Sequence, residues 1–277
     1  MTIPKEIQSI LKKLTDAGFE AYIVGGCVRD FLLGKSHDDW DLTTNATPQE
    51  IQALFPNSFY ENNFLTVTIR TDSDSPTLQE IEITTFRSEV AYSDKRHPDK
   101  VEYAKTLEED LARRDFTVNA MAMNASKKIS DPFEGQKDLK KKIIRTVGNP
   151  DERFGEDALR MLRAVRFATT LNFEIEKETA EAIKKNSVWL EAVSQERIRD
   201  EFVKIIMADN AASGIELLRQ LHLLKYVLPE LEENYGVGQN KHHIYDCYTH
   251  AVKALEFTAK KKLSMQVRVA ALLHDIA

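Results

Sequence analysis

Apolar positions change their spacing partway along the chain, and the change divides it. In the first half two periods alternate. Ile7, Ile10, Leu11 and Leu14 recur at steps of three and four, which predicts a helix stopped by Gly18. Ala21 to Val24 is a short apolar run that reads as a buried strand, and 64–70 and 78–86 alternate in the manner of strands. Thr47-Pro48-Gln49-Glu50 and Thr106-Leu107-Glu108-Glu109 each combine a Thr cap with Glu three residues later, predicting helices, the first through Phe55. MAMN (121–124) and KKIS (127–130) suggest a hairpin, broken by Asp131-Pro132-Phe133, and Lys142 to Val147 one more strand or connector. Past Gly148-Asn149-Pro150 no run alternates, and 156–171, 176–190, 195–208 and 212–226 all carry helical spacing. The expectation is an α+β head with a small mixed sheet, then an all-helical part with no strand after Asp151.

Composition narrows the class. The 277 residues are 42% hydrophobic and 30% charged, which suits a folded chain of two or three units. No run approaches the roughly 18 apolar residues of a membrane span, and the N-terminus lacks the apolar core of a signal peptide. A cytoplasmic protein with no membrane partner is expected. The net charge of −6 excludes coating of nucleic acid through bulk positive potential, so RNA contact has to be local, for example at Lys140-Lys141-Lys142 with Arg145, at the arginines of 153–166 or at Lys260-Lys261-Lys262. Cys27 and Cys247 lie far apart in unlike contexts and read as free thiols. Arg87 to Val101 is polar, charged and without periodicity, the pattern of a mobile loop. Nothing in the pattern speaks to oligomeric state.

Chemistry concentrates between Gly25 and Asp41. Gly25-Gly26 joins the first strand to a helix carrying Val28, Phe31 and Leu32, and two residues without Cβ let backbone N–H groups approach an anion. Asp39-Trp40-Asp41 is expected to open the next strand, so that the two carboxylates share a face about 6–7 Å apart along the chain while Trp40 faces away. Such a pair suits a divalent metal, Mg²⁺ in particular, with room left for substrate phosphates. Glu82, on an alternating strand face with Glu80 and Thr84, is a candidate third carboxylate. Arg113-Arg114-Asp115 followed by Asn119 could clamp phosphates and a ribose hydroxyl, or form a plain surface ion cluster. Farther on, Glu156, Asp157, Arg160, Arg163 and Arg166 stack at spacings of three and four; periodicity alone makes this a salt-bridged amphipathic helix.

The ordered segments GGCVRD, DWD, RRDFTVNA, DPFEGQKDL, RFGEDALRMLRAVRFA and ERIRDEF resemble the class II tRNA nucleotidyltransferases, the CCA-adding enzymes with their relatives the bacterial poly(A) polymerases. The resemblance implies a polymerase-β-like nucleotidyltransferase head over 1–148, a nucleotide-selecting and RNA-binding neck and body over 149–235, and Mg²⁺ as cofactor. It implies that Asp39 and Asp41 hold the metals, that Gly25, Gly26 and Arg29 contact the triphosphate, and that Arg114, Asp115 and Asn119 contact sugar and phosphates. Asp157 and Arg160 would act as a protein template for the incoming base, with Arg163 and Arg166 also at the nucleotide. Cytosine and adenine both show an amino donor beside a ring-nitrogen acceptor, whereas uracil and guanine show the reverse, so an Asp acceptor and an Arg donor select the first pair. The implied reaction extends the tRNA 3′ end with C and A from CTP and ATP. Addition of A alone, poly(A) synthesis and RNA binding by an inactive head are the rivals. From 236 on, His250 and His274-Asp275 resemble the start of an HD phosphohydrolase domain; its final aspartate is not reached by Ala277, so a truncated domain is expected, with metal-dependent phosphohydrolysis as the other-class alternative.

Overall fold

The computed structural model describes residues 2–37, 39–61, 65–90, 100–238 and 244–276. Two compact units result, one from the described residues up to 90 together with 100–141, the other from residue 142 onward. That boundary falls earlier than the expected one near 148, because the stretch after Lys141 pairs forward along the chain.

In the first unit α1 (Lys5–Asp16) buries the predicted Ile7, Ile10, Leu11 and Leu14. It is followed by β1 (Ala21–Val24), α2 (Gly26–Leu32), β2 (Asp41–Thr44) and α3 (Pro48–Leu54). The capping box at α3 forms as written, with Thr47 accepting from Glu50 N and Glu50 accepting from Thr47 N at 2.8 Å. Then come β3 (Ser58–Glu61), β4 (Thr66–Arg70), β5 (Glu80–Thr85), β6 (Arg87–Val90), β7 (Lys100–Tyr103), α4 (Leu107–Ala112), β8 (Ala122–Met123), β9 (Ile129–Ser130) and α5 (Gly135–Lys141). The seven-stranded sheet runs β3-β4-β5-β2-β1-β8-β9. Its pairs are antiparallel except β2 with β5, which run parallel and put Asp41 beside Glu82. Along β5 the residues Ile81, Ile83 and Thr85 enter the core while Glu80 and Glu82 stay exposed, so one sheet face is committed to packing and the other is left for chemistry.

Two readings of this half need correction. The segment 87–101 is no plain loop, since its ends pair as the antiparallel ribbon β6–β7, tied to the core where Arg87 N donates to the buried Asp110 carboxylate at 3.2 Å. Residues 91–99, the middle of the expected mobile loop, lie outside the described residues. A ribbon held by backbone pairing needs no apolar alternation, so period two is absent from its sequence. The edge strand β3 was unexpected as well.

The second unit contains β10 (Ile143–Ile144), α6 (Pro150–Glu156), α7 (Leu159–Leu171), β11 (Glu174–Ile175), α8 (Lys177–Asn186), α9 (Gln195–Met207), α10 (Ala211–Gln220), α11 (Leu224–Val227), α12 (Pro229–Glu233), α13 (Cys247–Lys260) and α14 (Met265–Leu273). A strand is therefore present after Asp151: β11 pairs in parallel with β10, a two-residue ladder too short to register as alternation. The expected helix 156–171 is two helices, broken at Asp157, whose backbone is extended at φ −145° and ψ 107°. The Asp157 carboxylate accepts from Leu159 N at 3.1 Å and its carbonyl from Arg160 N at 3.0 Å, so a new helix starts here, as short acidic side chains favour at helix ends. The expected helix 212–226 is also interrupted, at His222 with φ 61°. Helix α10 packs closely against α7 and α9 at Gly214, where a Cβ would lie 2.5 Å from Ile205 Cγ2 and 2.8 Å from Thr169 Oγ1.

Arg268 of α14 is 2% exposed and spends its guanidinium on backbone carbonyls at helix ends: Ile206 and Ala208 at 2.9 Å, Leu263 at 3.0 Å and Ala259 at 3.4 Å. A buried cation is tolerable here because the C-terminal ends of α9 and α13 carry partial negative charge. Arg268→Met is expected to lower unfolding stability by about 3 kcal/mol, since charged hydrogen bonds are lost and buried acceptors are orphaned. Urea denaturation against the parent protein measures this; a loss within about 0.5 kcal/mol, typical of a neutral surface change, would contradict it.

Candidate active site

The glycine turn is held open by its neighbours. Gly25 caps α2 at φ 78°, ψ −138°, and a Cβ there would lie 2.9 Å from Arg114 Nη1 and 3.6 Å from Asp41 Oδ2. Glycine is required twice over, by the backbone and by the approach of two side chains from distant segments. Three of the expected site residues thus converge on one point. Gly25→Ala is expected to displace Arg114 and to lower kcat/KM for the nucleotide transfer that the resemblance implies by at least tenfold, about 1.4 kcal/mol of transition-state stabilisation, measured beside a thermal midpoint. Unchanged turnover would show that this approach is without consequence.

Arg29 is buried and held by two neighbours. It donates from Nε and Nη2 to the Asp30 carboxylate, each at 2.9 Å, and from Nη1 to Asn119 Oδ1 at 2.6 Å. Asn119 in turn donates to Asp115 Oδ1 at 3.2 Å, which also accepts from Phe116 N at 2.8 Å. Burial by itself would raise the Asp30 pKa, but the hydrogen bonds from His37 and Arg29 outweigh it and hold the carboxyl below its usual range. The chain His37, Asp30, Arg29, Asn119, Asp115 fixes Arg29 and Asn119 before any substrate arrives.

Of the acidic pair only Asp41 belongs to a strand: β2 starts at Asp41, and the exposed Asp39 precedes it. Trp40 is buried, its ring edge-on to His37 at 5.6 Å. Burial pushes the Asp41 pKa up and the Asp39 carboxylate adds to the rise, while Arg114 and His37 offset part of it. Asp41 is thus a carboxylate short of positive charge. Burial draws the Arg114 guanidinium's pKa down, against the pull of Asp110, Asp41 and Asp115. Cys27, directly behind, donates to Val24 O at 2.8 Å, and burial raises its thiol pKa to about 12, so it is no nucleophile.

Asp110 was missed in the sequence. Fully buried, it accepts from Arg113 Nε at 3.1 Å and Nη2 at 3.0 Å and stands 3.9 Å from Arg114 Nη2. Its position three and four residues before the two arginines was the available signal. Asp30, next to Arg29, was missed too.

In the second unit the expected base readers have separate partners. Asp157 receives both Arg197 Nη groups, at 3.3 and 2.8 Å, and Arg160 Nη1 meets Glu156 Oε2 and the Arg153 carbonyl at 3.2 Å. Arg166 sits 2.9 Å from the buried Glu201 carboxylate and 4.0 Å above the Phe167 ring, with Arg163 at 5.4 Å from the same ring. Farther along, His250 Nε2 and His274 Nε2 are 3.1 Å apart and Asp275 Oδ2 lies 3.5 Å from each, so these three could share a metal ion. His242 and His243 of the same stretch lie outside the described residues. Cys27 and Cys247 are free, as expected, and among the described residues no helix is long and apolar enough to cross a membrane.

Comparison with known proteins supplies the class. Residues 21–145 match the poly A polymerase head domain, and 172–235 match a region described as a probable RNA and SrmB-binding site of polymerase A. The CCA-adding enzyme of Ligilactobacillus salivarius is 48% identical over 233 residues, covering 81% of this chain and 55% of that protein. The CCA-adding enzyme of Listeria monocytogenes is 45% identical over 226 residues, with 81% and 56% covered. Among solved structures, the Bacillus stearothermophilus CCA-adding enzyme in complex with CTP superposes over 100% of this chain and 71% of its own, at a TM-score of 0.77 and 33% identity. A tRNA nucleotidyltransferase complexed with a primer tRNA and an incoming ATP analogue covers 96% of this chain and 75% of its own, at 0.73 and 28%. A mixed-sheet head followed by a helical part is thus shared with nucleotidyltransferases. The chain belongs to the class II tRNA nucleotidyltransferase family, that of the CCA-adding enzymes. It spans about half the length of the curated relatives it matches.

Proposed function

We propose that the protein adds C and A nucleotides from CTP and ATP to the 3′ end of tRNA without a nucleic-acid template, releasing pyrophosphate, and does so in the cytoplasm. The observation that carries this reading is the convergence of Gly25, Asp41 and Arg114, with Glu82 in register beside Asp41. Family relatives with CTP or with an ATP analogue and primer tRNA support it. In functional terms the head is followed by a nucleotide-selecting and RNA-binding neck and body, then by the start of an HD region from 236.

The donors fit Mg²⁺: Asp39, Asp41 and Glu82 offer hard carboxylate oxygens, and at Asp41 burial and Asp39 raise the carboxyl's pKa despite the partial offset from Arg114 and His37. Bound by these residues, Mg²⁺ would neutralise charge on the attacking and leaving oxygens of the phosphoryl transfer. Arg114, next to the glycine turn, would draw the phosphates toward Asp41. Arg29, already locked by Asp30 and Asn119, would meet them without losing side-chain freedom at binding. Asp157 and Arg160 would read the base, and Asp115 and Asn119 the sugar.

Supplying the protein with a tRNA lacking its terminal CCA, and with labelled CTP, ATP or both, tests the proposal. Growth that needs both nucleotides and stops at CCA is the expected result. A-only growth on a tRNA ending in CC, an unlimited A tail, or no extension each overturns it. The convergence of His250, His274 and Asp275 supports a second reading, metal-dependent phosphohydrolysis, which metal-stimulated phosphate release from p-nitrophenyl phosphate would test.

A further inference from the structure

Lys260-Lys261-Lys262 closes α13, and the C-terminal end of a helix favours cations whatever their further use. That accounts for these three lysines and for nothing else on the same face. Lys253, Phe257 and Lys261 follow one another at steps of four, about 6 Å apart along the axis, so their side chains form a single row. Phe257 is 61% exposed, and Tyr245, just before the helix, 41%. Lys253 Nζ lies 4.9 Å from the Tyr245 ring centre, and Lys261 Nζ 5.9 Å from that of Phe257. The row alternates aromatic ring and ammonium.

Folding does not call for these rings in solvent. The other side of α13 buries Tyr248, Val252, Leu255 and Ala259 and packs on α9, α10 and α14, so the helix is anchored without Phe257. From Lys253 to Lys262 four lysines stand against the single Glu256, which Lys260 holds at 2.6 Å, in a chain whose net charge is −6. A local positive excess set among exposed rings has its complement in a polyanion that also carries flat faces. Phosphates meet the ammonium groups, and unpaired bases stack on the aromatic side chains. A second copy of this chain is the poorer occupant, because pairing two such faces brings lysine against lysine.

We infer that the outer face of α13 is an RNA-docking ridge: Lys253, Lys261 and Lys262 take phosphates, while Tyr245 and Phe257 offer their rings to unpaired bases. This rests on the RNA-binding reading of the helical part, and it adds a contact beyond residue 235, in the stretch that otherwise resembles the start of an HD region.

The test is equilibrium binding of a fluorescent tRNA lacking its terminal CCA, without nucleotides and across a salt series. The parent is compared with Phe257→Ala, Phe257→Tyr and the double variant Lys253→Gln with Lys261→Gln, each with a thermal midpoint. Phe257→Ala is expected to raise Kd at least about fivefold, the loss of one stacked base, and Phe257→Tyr to restore it. The double variant is expected to flatten the slope of log Kd against log salt by about 1.4, since each single-strand phosphate contact contributes about 0.7. Side chains that served only the fold would move the midpoint and leave the slope in place. A blunt RNA duplex, its bases already stacked on one another, should bind without regard to Phe257; an equal loss there overturns the stacking role. Kd within about twofold of the parent, with an unchanged slope, in every variant overturns the ridge. So does loss of binding to phosphatidylserine vesicles with tRNA binding intact, which would make this face a membrane contact. Since no nucleotide is transferred, the outcome is separate from that of the extension assay. Ridge-dependent binding in a protein that extends no tRNA removes only the proposed activity, and parental binding by all variants of a protein that adds CCA removes only the ridge.

Discussion

Asp41→Asn is expected to abolish nucleotide transfer, by a factor of at least about 10³, while raising the thermal midpoint of the metal-free protein at neutral pH. Both effects have one cause. Burial and the neighbouring Asp39 raise the Asp41 pKa above its unfolded value, so folding disfavours the ionised carboxylate. At pH values above the folded pKa the group therefore subtracts from stability. As pH falls through that pKa the folded protein takes up the proton more readily than the unfolded chain, and the penalty disappears. An amide of the same shape carries no such penalty, so its advantage should be largest at neutral pH and should fade toward acid. Added Mg²⁺ should reverse the order, because a ligand that binds only the folded state raises its stability, and the variant lacks the carboxylate to bind it. Thermal unfolding across pH, with and without metal, together with CTP incorporation, reads all three effects. A folded Asp41→Asn protein with near-parental turnover would remove Asp41 from the chemistry.

Asp157→Ala and Arg160→Ala are expected to lower CTP and ATP use and to raise the relative use of UTP and GTP tenfold or more. Arg163→Ala should leave base preference unchanged. The size follows from desolvation: a wrong base leaves a partly buried donor or acceptor without its partner, about 1–3 kcal/mol. If the two residues only made salt bridges, stability would fall and the preference would not. The structure makes stability a poor discriminator here, because Asp157 and Arg160 each hold largely buried ion pairs whose loss destabilises under either reading. The ratio of kcat/KM values on one tRNA acceptor decides the matter, and an unchanged ratio in both variants returns this segment to scaffolding.

What the sequence revealed follows from where each signal resides. The Thr47 cap, the amphipathic stripe of α1 and the glycine turn at Gly25 are local, and each appears where the residues placed it. Pairing partners are not local. Nothing in EIEITT announces that β5 runs parallel to β2, so Glu82 could be named as a candidate but not placed beside Asp41. The ribbon β6–β7 and the ladder β10–β11 are held by backbone hydrogen bonds with little apolar alternation, leaving no periodic trace. The break at Asp157 was hidden by its own sequence, since EDALRMLRAVRFA keeps helical spacing straight across it. Counter-charges were the largest omission. Asp30, Asp110 and Arg197 decide how Arg29, Arg114 and Asp157 stand, and only the first two lie near their partners along the chain.

The inert thiol behind the site has a practical use. Cys27 sits in the first turn of α2, its hydrogen committed to the Val24 carbonyl and its sulfur 3.9 Å from the Asp41 carbonyl. Alkylating reagents attack the thiolate, which the buried state suppresses, so iodoacetamide should label Cys27 only when this corner of the head opens. The half-buried Cys247 supplies an internal reference on the same chain. The labelling rate of Cys27 relative to Cys247 is therefore a clock for local opening beside Asp41, readable by mass spectrometry without introducing any foreign probe.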